Sequence, residues 1–172
     1  MRSPLGKECR KLFRKMMSVE FPDYKEDKTQ VMRQGMCAWR CDHPSGLFFW
    51  IFLVLHSKND QFTTEVGWSF DTKLPPSEVI GRKEINTVLE KPIAFRNCCL
   101  WYESNWGFWW KLVLRPEEHE HAILYRDDPI EECLPLVAPA VWDAGEKIKE
   151  HVVPLFDRII QKHGSTQVRR GS

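Results

Sequence analysis

Long hydrophobic runs are missing from this chain. Its longest apolar stretch, Leu47 to Leu55, is nine residues, about half of the ~18 that a membrane span needs. The first twenty residues hold no apolar segment of signal-peptide type, and residues 1–17 are basic and amphipathic but poor in Ser for a transit peptide. These absences predict a soluble cytoplasmic protein with no membrane partner. An excess of one charge is missing too. The 25 Lys and Arg nearly balance the 24 Asp and Glu, for a net charge of +1, which argues against a general nucleic-acid binder. There is no G-x-S-x-G elbow, no Gly-rich phosphate loop and no kinase-like set. The chain therefore reads as more naturally non-enzymatic, and no cofactor is expected.

Cysteine is present but not in a pattern that binds metal. The six are Cys9, Cys37, Cys41, Cys98, Cys99 and Cys133. Without a secretory signal, reduced thiols are the default. Cys37, Cys41 and His43 form C-x3-C-x-H, but on an extended strand the two thiols are ~13 Å apart. The adjacent Cys98 and Cys99 point to opposite faces, so a tetrahedral zinc site is not expected. His119-Glu120-His121 lacks the i, i+4 spacing of a helical metal pair. Cys133 with His151 has no spacing that recommends it as a nucleophile and base.

What the chain does have is aromatic mass: eight Trp and ten Phe in 172 residues. Such rings bury large areas and make a compact core feasible. The length suits one domain, placed at 1–164, with a polar and disordered tail at 165–172. Residues 4–18 predict a helix, since Leu5, Cys9, Leu12, Phe13, Met16 and Met17 share one face. Its basic residues lie mostly outside that stripe and read as a solvated face. Phe21 to Gln30 reads as a loop. Three strands follow, at Val31 to Cys41, Leu47 to Leu55 and Phe62 to Phe70, joined by short turns as an antiparallel meander. The middle one is apolar throughout and is expected to be central. The third alternates, with Phe62, Val66 and Trp68 on one side and Thr63, Glu65 and Ser69 on the other.

Residues 71–92 read as a loop with one helical turn near Glu84. Then "NCCLWYESNWGFWW" puts six rings into fourteen positions, 97 to 110. Ala94 to Tyr102 and Trp106 to Leu114 read as a hairpin around Glu103-Ser104-Asn105. Phe108, Trp110, Leu112 and Leu114 share a parity assigned to the core, which leaves Trp109 beside Lys111 as the ring nearer solvent. From Pro129 the pattern is helical, with Val141, Ile148, Val152, Leu155 and Ile159 in one stripe, a kink or break at Pro154, and a stop at Gly164. The expected fold is α+β: an antiparallel sheet of about five strands packed on one face against N- and C-terminal helices.

With "FTTEVGWSF" in the third strand, "GFWWKLVL" after the hairpin turn and "IKEHVVPLFDRI" in the last helix, the chain resembles a group of small bacterial proteins, domain-of-unknown-function family 4304. The likeness covers most of the chain and implies a fold rather than an activity. The functional expectation is a protein-interaction module, of antitoxin, immunity or defence type, whose partner is another protein. Its site is expected at Trp101, Trp106, Trp109, Lys111 and Arg115. The charge distribution suits such a role: residues 1–20 are mostly basic, and seven acids lie between 115 and 133. The alternatives are a nucleic-acid-binding accessory protein, which would use Arg96, Trp101, Lys111 and Arg115 for stacking and phosphate contact, and a hydrolase or transferase with an unrecognised site. The sequence leaves the oligomeric state open.

Overall fold

The computed structural model describes residues 1–29, 35–73, 95–97, 109–115 and 128–164, of which 95–97 and 164 are described by backbone alone. The chain enters through Pro4, whose missing N–H costs nothing in a first helical turn, and forms α1 over Ser3–Glu20. Leu5, Cys9, Phe13, Met16 and Met17 are buried along it, as their spacing predicts. The basic face is solvated as expected, with Lys7, Lys11, Arg14 and Lys15 exposed; on it Lys11 pairs with Glu8, and Arg14 chelates both oxygens of Glu26.

Four strands follow: β1 (Lys25–Glu26), β2 (Met36–Asp42), β3 (Phe48–Leu55) and β4 (Gln61–Ser69). They form an antiparallel sheet in chain order, with β3 between β2 and β4. Residues 31–34 of the second expected strand lie outside the described residues. The stretch read as a loop over 21–30 contributes β1, a two-residue edge that pairs Lys25 with Arg40 and Glu26 with Trp39. So short an edge carries no periodicity for sequence reading to detect.

Register explains the two faces. Trp39, Ile51 and Val66 are aligned across three strands, as are Cys41, Phe49 and Trp68. These side chains meet the helices in one core. The intervening positions point the other way, and there Trp50, Phe52 and Ala38 are buried as well. β3 is thus central and covered on both sides. β4 departs from its alternating pattern, because its polar side is also buried: Thr63, Glu65 and Ser69 are at most 7% exposed. Part of the reason is a contact between β3 and β4. Ser69 accepts the Trp50 indole N–H at 3.0 Å and donates to the Asp71 carbonyl, so the polar row satisfies an aromatic one.

The expected hairpin is corrected by the register. β5 (Phe95–Asn97) pairs antiparallel with Val66–Trp68, and β6 (Trp110–Lys111) pairs antiparallel with Gln61–Phe62. Both occupy the edge of β4 opposite β3, one beyond the other, and both run in the same direction. These parts of the two expected arms therefore pair with β4 and not with each other. Together they make one interrupted fifth position in the sheet; residues 98–108 lie outside the described residues.

The C-terminal helix comprises α2 (Ile130–Lys147), a π-helical turn (Ile148–Val152), α3 (Val153–Ile159) and a second π-helical turn ending at Gly164. Pro154 accounts for the first widening. It has no N–H to give to residue 150, and its ring would collide with that carbonyl in an α-helix. The chain answers by bonding the Val153 N–H to the Ile148 carbonyl. The stripe Val141, Ile148, Val152, Leu155 and Ile159 stays buried throughout. α2 packs beside α1, where Gly145 lets Met16 approach so closely that a Cβ would sit 3.0 Å from its sulfur. No helix among the described residues is long and apolar enough to cross a membrane.

Candidate functional site at the Trp109 edge

Beyond Leu55 the chain turns back into β4 through His56 to Asp60. The His56 Nδ1 accepts the backbone N–H of Lys58 at 3.2 Å and of Asn59 at 2.9 Å. The His56 N–H donates to the Gln61 carbonyl at 3.0 Å, which closes the turn. An Nδ1 that accepts two bonds must carry a lone pair, so the ring is neutral with its proton on Nε2. Burial, the Met1 ammonium and Lys58 all push the His56 pKa below its usual 6.5, in that order of size.

The turn is tied to the start of the chain and to β6. Asp60 is fully buried, and both its oxygens are taken by Arg2, one by the backbone N–H and one by Nε, each at 2.6 Å. The same guanidinium donates to the Asp128 carbonyl at 2.5 Å and reaches the Cys133 sulfur at 3.7 Å. The Met1 ammonium donates to the His56 carbonyl. On the other side, the Leu112 N–H donates to the Asp60 carbonyl at 2.8 Å, and the Leu114 N–H to the Asp128 carboxylate at 2.9 Å. One end of the molecule is thereby pinned from four directions: the N-terminus, the β3–β4 turn, β6 and the start of α2.

On that frame the two tryptophans part ways. Trp110 is 5% exposed, stacks on Phe62 at 5.1 Å and gives its indole N–H to Asp143 at 2.7 Å. Trp109 is half-buried and stands edge-to-face with His56 at 5.3 Å. Lys111, two residues on, is also half-buried, and Leu114 and Arg115 are exposed. Of the five expected site residues, Trp109, Lys111 and Arg115 belong to this edge; Trp101 and Trp106 lie outside the described residues. The core assignment of Leu114 is corrected: it is 39% exposed while Val113 is 4% exposed. β6 ends at Lys111, so strict alternation stops there.

Sequence reasoning missed His56, Arg2 and Asp60. A signal for His56 was available, since "HSKND" sets a ring that can accept backbone bonds at the head of a turn. The chain repeats the device at His43, whose Nδ1 accepts the Ser45 backbone N–H at 3.2 Å.

The described cysteines marked by sequence are wholly or partly buried. Burial pushes the Cys9 thiol up to about 12, with Arg10 opposing, and raises Cys37 and Cys41 as well. Cys133 lies against Arg2 with its pKa raised chiefly by burial, and His151 lies 3.6 Å from Glu150. Among the described residues no group of three or more His, Cys, Asp or Glu is placed to hold a metal ion; His119-Glu120-His121 falls outside them. A cavity of about 300 Å³ lies beside β1, but its Arg40 is already bound to Asp27 and Asp42 and its Glu26 to Arg14. Comparison with family models, curated proteins and solved structures gives no match.

Proposed function

We propose that this protein is a non-enzymatic protein-interaction module of the cytoplasm, of antitoxin, immunity or defence type, which docks its partner at the Trp109 edge. The observation that carries the reading is the half-buried Trp109 ring, held against His56 on a pinned end of the fold. Tryptophan is the residue type most often found at binding hot spots, where one large ring at the centre of a contact supplies much of the affinity. A ring held in place before contact loses little freedom on binding, and that saved entropy appears as affinity. Further along the same segment, Leu114 is an exposed apolar side chain and Arg115 an exposed cation, the residue types of an interface core and rim. Kinship with domain-of-unknown-function family 4304 belongs to the same proposal and rests on the residues quoted for it.

The test is photocrosslinking in the native host with a benzophenone side chain at position 109. The reading expects one protein joined at 109 and absent when the same group replaces Lys7, an exposed residue of α1. A crosslink to nucleic acid, or the same weak background at both positions, contradicts it.

A further inference from the structure

We propose that His56 is a proton-operated latch on the Trp109 edge: the neutral ring holds both the β3–β4 turn and the Trp109 indole, and protonation releases them. The geometry leaves the imidazole no neutral way to gain a second proton. Nε2 already carries one. Nδ1 faces the N–H groups of Lys58 and Asn59 and accepts from both. A proton on Nδ1 would set a donor against two donors, and both bonds would be lost.

The surroundings push in the same direction. The charges that act on the ring are the Met1 ammonium before α1 and Lys58 in its own turn; the Arg2–Asp60 pair lies behind that turn, Asp128 is tied to the same end through Arg2 and the Leu114 N–H, and Lys111 lies on β6 opposite Gln61. Asp60 spends both oxygens on Arg2, and Asp128 takes the Leu114 N–H on its carboxylate. An imidazolium here would meet the like charge of the Met1 ammonium and Lys58. Its attraction to the indole of Trp109 would be a single contact set against two broken hydrogen bonds and that repulsion.

The consequence reaches the docking surface. Trp109 touches His56 directly, so losing the turn geometry removes the wall that fixes the ring. Mild acid would then turn a preorganised edge into a loose one. The latch concerns the same edge as the proposed partner site, yet its test needs no partner, so the two can fail separately.

The experiment is an NMR titration of the uniformly ¹⁵N-labelled full chain from about pH 8 to about pH 5, across the histidine range. It follows the backbone amides of Lys58 and Asn59, the indole N–H of Trp109 and the ring of His56. All four should move on one curve, with a midpoint below 6.5, and hydrogen-exchange protection of the two amides should fall about tenfold or more at the acid end. His56→Asn supplies an oxygen that accepts the same turn N–H groups without titrating, so its Trp109 signal should stay flat. The latch is overturned if the two amides and the indole stay still while the His56 ring titrates. A midpoint at or above 6.5 overturns it as well, as does an unchanged Trp109 curve in His56→Asn. If that variant does not fold, the wild-type curves alone decide.

Discussion

Arg2 donates four hydrogen bonds to three residues in two separate parts of the chain, and its chief partner, Asp60, is wholly removed from water. A buried pair of this kind adds little net stability over an apolar pair, but removing one member strands the other charge. Arg2→Ala should therefore cost about 3–5 kcal/mol in urea melts. Arg2→Ala combined with Asp60→Asn should cost less than Arg2→Ala alone, because no bare carboxylate remains. A double variant as damaged as the single would place the effect in lost packing instead. His56 gives the residue scale its pH dependence. Its folded-state pKa is depressed below 6.5, so its contribution to stability is complete above that value and is lost as the pH falls through the lower, folded one. The stability of wild type should drop relative to His56→Asn as the pH is lowered past 6.5; parallel profiles in denaturant melts would remove His56 as the cause.

At the scale of the element, what sequence made legible was an apolar stripe or an unbroken apolar run. The α1 and C-terminal stripes repeat at helical spacing and β3 is apolar throughout, and most of the residues so marked are buried. β1 has two residues and no period, and the polar row of β4 is buried by contacts such as Trp50 to Ser69 that join distant positions. The hairpin reading was corrected at its described ends for a related reason. Two strand-like segments with a turn between them are equally compatible with pairing to each other or to a third strand, and the edge of β4 won. Ile51, 1% exposed between Trp39 and Val66, offers the plain test of β3: Ile51→Ala should cost ~2–5 kcal/mol, and a loss below ~0.5, the scale of an ordinary surface change, would contradict its burial. The α1–α2 contact offers a sharper one. Gly145→Ala gains helix propensity of about 1 kcal/mol but drives a Cβ into the fully buried Met16. It should destabilise wild type and stabilise the Met16→Ala background. The same sign in both would mean that the helices simply slide apart.

For the molecule as a whole, the candidate site was half legible. The parity that separates Trp109 from Trp110 follows from strand geometry and needs no hairpin, so it holds although β6 pairs with β4. The frame around it joins Arg2 to Asp60 and Asp128, across 58 and 126 residues of chain, and no local spacing announces such partners. The central claim is that adjacent tryptophans do different work: Trp110 holds the fold and Trp109 meets the partner. Trp109→Ala and Trp110→Ala, compared side by side in denaturant melts and in capture of the protein that crosslinks at position 109, test it most directly. Trp110→Ala should lose ~3–5 kcal/mol of stability, whereas Trp109→Ala should lose under about 1 kcal/mol and still weaken capture tenfold or more, as about 1.4 kcal/mol at a hot spot requires. Equal and large losses of stability in both variants, with capture unchanged by Trp109→Ala once the folded fraction is matched, would contradict it.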